Sequence, residues 1–222
     1  LTRDGLDVDA LWSRKISAIE QVEGLSVDRG PESFDDIGGL EQFKAFGRML
    51  VGGPECPLLF VRLDEIEKAL GGIGANGGPA DNTGVSQDAL GVLLREMEDN
   101  DWPGLIALGP PGCAKSLATK ALANTATKVT GRKVLSVAAD LGGMRGSLVG
   151  ESERKIRAFM RAIKGLAGRG RACFVATCND LEVMPAALRR RFRLGIWFFD
   201  LPDEAEQRAI WDRIAAGPRG GV

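Results

Sequence analysis

Apolar positions along the chain follow two alternating rhythms. Short, mainly apolar runs at 57–63, Gly104–Leu108, Val134–Ala138, Ala172–Thr177 and Leu194–Phe199 have the length of strands. Between them lie longer stretches with helical spacing, and that alternation predicts a mostly parallel, five-stranded sheet covered by helices in a three-layer αβα arrangement. Upstream, Val8, Leu11, Trp12, Ile16, Ile19 and Val22 recur at helical intervals. They predict an amphipathic helix that packs on the main domain or meets a partner, packing being the plainer reading. Gly24–Ser33 reads as a linker. The expected division is therefore 1–33 for the helix and linker, 34–201 for the α/β core, and 202–222 for the start of a further helix and a glycine-rich tail. Gly71–Gly84, long, glycine-rich and containing Pro79, reads as a surface loop.

Composition narrows the classes. With 222 residues, 44% hydrophobic and 27% charged, the chain has enough apolar material for one medium domain and a modest extension. A formal net charge of -1 supplies no overall basic field, which argues against nucleic acid or an anionic membrane as partner. Cys56, Cys113, Cys173 and Cys178 form no C-x-x-C pair, and the chain has 0 histidines, so a Cys/His zinc site is excluded. A reduced, cytoplasmic setting fits. No apolar run approaches the roughly 20 residues that span a bilayer, and Arg3, Asp4, Asp7 and Asp9 are unlike a signal peptide. The start at Leu1 and the Gly-Pro-Arg-Gly-Gly-Val ending are compatible with a piece of a longer protein.

One of the two glycine-rich stretches carries chemistry. GPPGCAKS, Gly109–Ser116, lies between the apolar run GLIAL and the helix-forming run SLATKALAN, which is the setting of a phosphate-binding loop. Such a loop needs inward-facing backbone N–H groups, a helix N-terminus, a lysine for the β- and γ-phosphates and a hydroxyl for Mg²⁺. Lys115 and Ser116 fill the last two roles. The candidate nucleotide-binding residues are Gly109, Pro110, Pro111, Gly112, Cys113, Ala114, Lys115, Ser116 and Leu117. Ala114 stands where the usual pattern has glycine, which matters if the position requires positive φ.

A nucleotide hydrolase also needs an aspartate for the Mg²⁺ shell and a base for the attacking water. PLLFVRLDEIEKAL ends an apolar run with Asp64 and Glu65, assigning Asp64 to the metal and Glu65 to the water; the bland reading is a capped helix start. Arg62 is out of place in a run predicted to be buried, and calls for a partner. Asp180 is a weaker candidate, because Leu181 follows it where the base would stand. The acidic strand thus precedes the phosphate loop in sequence, and a parallel sheet still brings both to its C-terminal edge.

Further motifs give this order a family likeness. FDDIGGLEQFK resembles the segment leading into an AAA module, SQDALGVLLREMEDN the helix after Walker B, and LVGESERKIR the helix after a pore loop. FVATCND resembles a sensor 1 strand, PAALRRRF an arginine-finger region, and FFDLPDEAEQRAIW the last core strand and the opening of a helical lid. From Phe34 to Ile214 the chain resembles the AAA+ ATPases in segment-permuted form, loosely like ATPases of bacteriophage and bacterial genomes.

The resemblance implies an ATPase that couples MgATP turnover to remodelling of a protein or complex, in a homo-oligomeric, hexameric ring with an unknown protein client. It implies adenine contacts at Asp36, Ile37 and Gly38, water positioning by Asn179, and a trans-acting finger at Arg190 or Arg191. Leu148 replaces the pore-loop aromatic of threading machines, and most of the lid lies beyond these residues. Two other classes stay open: a nucleotide-dependent scaffold with little turnover, and a small-molecule kinase, for which no acceptor site is evident.

Overall fold

A computed structural model describes residues 8–67, 87–141, 151–168, 171–182, 184 and 186–215. In chain order the elements are α1 (Val8–Glu20), β1 (Leu25–Val27), a 3₁₀ turn (Phe34–Asp36), α2 (Glu41–Gly52), β2 (Leu59–Leu63), α3 (Gln87–Asp99), β3 (Gly104–Leu108), α4 (Lys115–Thr130), β4 (Leu135–Ala139), α5 (Glu151–Ala167), β5 (Ala172–Cys178), α6 (Ala186–Arg191), β6 (Gly195–Phe198) and α7 (Glu204–Ala215). The expected runs at Gly71–Gly84 and Leu148 lie outside the described residues.

The strands form one sheet in the order β1-β4-β2-β5-β3-β6, parallel throughout except that β1 runs antiparallel to β4. Six strands among the described residues, not five, result from β1, which lies within the stretch expected to be a linker. Its three residues pair Leu25 with Ala139 and Val27 with Val137, so β4 supplies the hydrogen bonds that a run this short lacks alone.

Alternation of side chains splits the strands into two apolar layers. Leu59, Val61, Leu63, Val137, Phe174 and Ala176 meet α3 and α5, with Ile19 of α1 completing that core. Trp12 and Ile16 of α1 pack against it as well. On the opposite face Phe60, Leu105, Ala107, Cys173 and Val175 meet α2, α4 and the 3₁₀ turn through Phe34, Phe43, Ala118, Ala121 and Leu122. The small residues of α4 let that helix lie close to the sheet. The result is a three-layer α/β fold. No helix among the described residues is long and apolar enough to cross a membrane.

Candidate functional site

Because β2, β5 and β3 are parallel neighbours, their C-terminal ends line one edge in that order. The edge therefore carries Asp64 and Glu65, then Asn179, then the glycine loop, although the acidic strand comes first in the sequence. At the loop, a Cβ on Gly109 would lie 2.1 Å from the Phe199 carbonyl oxygen, so only glycine fits there. Ala114 is left-handed at φ 62° and forms the N-cap of α4. The position does require positive φ, and an L side chain there is strained by roughly 1–2 kcal/mol.

Lys115 opens α4 and is 7% exposed. Its ammonium donates to the carbonyls of Gly109 and Pro110, both at 2.7 Å, and to Asn179 Oδ1 at 3.0 Å. Ser116 and Leu117, one and two positions on, face solvent. Cys113 is buried and donates its thiol to the Pro110 carbonyl.

Thr177, near the end of β5, ties the middle of the edge to the acidic end. Its Oγ1 accepts the Glu65 backbone N–H at 2.9 Å and donates to Asp64 Oδ1 at 3.3 Å. Glu65 sits at φ 49°, a conformation uncommon for a residue with a side chain. Asn179 Nδ2 donates to Glu67 Oε1 at 2.6 Å, and its backbone N–H reaches the same oxygen at 3.2 Å. Lys115, Asn179 and Glu67 thus form one hydrogen-bonded chain. Glu67 Oε2 is buried beside that chain and near the Cys178 thiol. Burial, and then the charge of Glu67, pushes the Cys178 thiol up to about 11, so it stays protonated. Asp180 is occupied locally, its carboxylate accepting the Glu182 N–H.

The partner that Arg62 calls for is present. Its guanidinium, 2% exposed, makes two bonds to Asp28, from Nε at 2.8 Å and Nη2 at 3.1 Å, while Nη1 lies 3.1 Å from Asp64 Oδ2. Asp28 follows β1 and also accepts from Ser136 Oγ at 2.7 Å.

The segment expected to meet adenine lies across from the glycine loop. Ser33 donates to the Asp36 carboxylate from its backbone N–H at 2.9 Å and its hydroxyl at 2.8 Å, which holds the Asp36 pKa below its ordinary value of 3.8. Lys44 of α2 donates to the Ile37 carbonyl. Gly38 abuts α7, where a Cβ would lie 2.9 Å from the Ile210 Cα, and Leu40 N–H bonds Glu206 at 2.9 Å. Between these residues, Ala114 and Pro202 is a cleft of about 50 Å³. Glu206 and Ile210 of α7 close one side of that cleft. Among the arginines, Arg191 is ion-paired with Glu98 of α3, whereas Arg190 is exposed.

The edge brings together Asp64, Glu65, Lys115 and Asn179; Arg190 and Arg191 lie on α6, outside that hydrogen-bonded set. Thr177, Glu67 and Asp28 join the site without having been singled out in the sequence. The signals were a hydroxyl in the apolar run ACFVATC, and a third acid in DEIE; Asp28 carried none. The donor set fits Mg²⁺, which takes oxygen ligands and is commonly held by one or two carboxylates plus substrate phosphates: Asp64 offers a carboxylate and Ser116 a hydroxyl. The Gly109 backbone, with no room for a side chain, lets the loop seat directly against the Phe199 carbonyl that ends the sheet edge.

Residues 105–170 match the family model "ATPase family associated with various cellular activities (AAA)". An "AAA ATPase forming ring-shaped complexes" of Corynebacterium efficiens is 32% identical over 107 residues, 45% of this chain and 20% of that protein. A "Proteasome-associated ATPase" of Acidimicrobium ferrooxidans is 38% identical over 96 residues, 38% of this chain and 17% of that protein. The aligned stretch is thus about a fifth of the length of these relatives. A crystal structure of the FIGL-1 AAA domain aligns with 98% of this chain and 69% of that one at 16% identity and a TM-score of 0.49, a likeness too low to add to the sheet order described above.

Proposed function

We propose that this chain is an AAA ATPase, as its match to the family model and its relatives support, and that it binds MgATP at the β2–β5–β3 edge, hydrolyses it, and uses the turnover to remodel a protein or complex from within a ring. The observation that carries this reading is the bridging of the acidic strand to the glycine loop through the end of β5, by Thr177 and Asn179.

Lys115 and the N-terminus of α4 receive the β- and γ-phosphates; to do so Lys115 exchanges its bonds to the loop carbonyls for phosphate oxygens. Asn179, freed of Lys115, turns its side-chain oxygen toward the lytic water while Glu67 keeps hold of its amide. Glu65 takes a proton from that water as the γ-phosphoryl group leaves the β-phosphate oxygen. Ser116 and Asp64 would hold Mg²⁺ from the protein side, and the ion would supply charge neutralisation at the phosphates. Asp36, Ile37 and Gly38 line the side of the cleft assigned to adenine. Arg190, exposed where Arg191 is paired, is the better placed of the two to reach a neighbouring subunit's nucleotide. Ring assembly is supported by the ring-shaped complexes for which the Corynebacterium relative is named and a hexamer by family likeness; the client is a protein or complex of unspecified identity.

Mg²⁺-dependent phosphate release by the parent and by Glu65→Gln, with nucleotide binding measured for both, tests the reading. Turnover in the parent and retained binding with turnover reduced at least about 100-fold in the variant are expected. Binding without turnover in either favours a nucleotide-dependent scaffold. Absence of binding in the parent overturns the site.

A further inference from the structure

A buried guanidinium is costly unless its charge and its donors are matched. Arg62 is matched unevenly: two donors go to Asp28 and one to Asp64. Asp28 is itself fixed, since its carboxylate accepts from Ser136 Oγ and its backbone N–H donates to the Ser136 carbonyl at 2.9 Å. The positive charge is therefore anchored on the β1–β4 side of the sheet and stays there whatever Asp64 binds. Asp64 is the more exposed partner, at 38% against 2% for Arg62, and is the one free to trade contacts.

A fixed cation 3.1 Å from a carboxylate oxygen opposes a second cation at the same group. We propose that Arg62 is a positioning residue that sets the Mg²⁺ requirement of the nucleotide site: it neutralises Asp64 in the empty site, so that Mg²⁺ is admitted with the triphosphate and not alone. Asp28 tunes this by drawing the guanidinium away from Asp64, which gives the β1 segment a say in metal binding. The inference rests on the reading of Asp64 as the carboxylate on the Mg²⁺ side.

The test is ADP and ATP binding by calorimetry across a Mg²⁺ series, with the midpoint of the Mg²⁺ dependence as readout. Removing the cation together with its anchor, in Arg62→Met/Asp28→Asn, is expected to lower the midpoint about tenfold. Arg62→Lys keeps the charge and leaves the midpoint within about threefold of the parent. Asp28→Asn alone releases the guanidinium to Asp64 and raises the midpoint about threefold, a shift of opposite sign that loss of packing does not produce. Circular dichroism establishes that each variant is folded. A midpoint unmoved or raised in the double variant, or unmoved or lowered in Asp28→Asn, overturns the proposal; if the double variant does not fold, Asp28→Asn decides. A parent with no Mg²⁺ dependence, or Asp64→Asn retaining the parent's dependence, instead overturns the metal reading of Asp64 and this inference with it.

Discussion

The two faces of the sheet arise from the same strands and treat polarity in opposite ways. On the α3/α5 face every buried strand side chain is apolar, from Leu59 and Val61 to Phe174 and Ala176. The buried polar and charged side chains among the described residues, Ser33, Lys44, Arg62, Lys115, Thr119, Thr125, Ser136 and Thr177, all lie on the other face or on segments packed against it. One face holds the domain together by area removed from water. The other gives up some of that area to hold polar and charged groups in fixed places, Lys115 and Thr177 at the β2–β5–β3 edge among them.

Substitutions that separate adhesion from placement test this contrast. The largest stability effect is expected from Phe174→Ala on the apolar face, a loss of about 3–5 kcal/mol by urea unfolding, with nucleotide affinity of the folded fraction retained. A similar loss of affinity and stability together breaks the comparison. Thr177→Val keeps the volume but strips the Glu65 N–H and the Asp64 carboxylate of their shared partner. It is expected to cost about 1–3 kcal/mol and to reduce phosphate release disproportionately. Ala114→Gly relieves the left-handed alanine and is expected to stabilise by about 1 kcal/mol, seen as a rise in Tm of about 2–4 °C.

The smallest effect concerns Asp36. Its folded pKa lies below the ordinary value, so its contribution is complete above that value and is lost as pH falls through the folded one. Asp36→Asn is expected to flatten the fall in stability as pH drops from about 5 through the ordinary value of 3.8 and below it, measured by denaturant unfolding.

The sequence made the strong strands legible because each is mainly apolar and most adjoin a motif; GLIAL before GPPGCAKS is the clearest. It did not reveal β1, since Leu25–Val27 acquires strand geometry only by pairing with β4, a contact remote in sequence. Arg62 shows the same limit from the other side. Its misfit was readable, but not Asp28, because the acid that answers it is brought in by that same remote pairing. Lys115, Asn179 and Asp64 were identifiable as types at motif positions, whereas their connection through Thr177 and Glu67 depends on which strands are neighbours. The seating of α7 over Gly38 has no sequence signature either, since it depends on backbone approach.

The strand order has one more consequence. Nowhere in β1-β4-β2-β5-β3-β6 does a strand lie beside its predecessor or successor in the chain. As the polypeptide emerges from the ribosome, β1, β2 and β3 all appear before any has a partner, and β4 is the first to offer one, joining β1 and β2 together. The acidic strand then waits for β5 before its second edge is covered, and β5 is also what admits β3. Such a sheet closes late and through long loops, leaving apolar strands exposed during synthesis for longer than local pairing would.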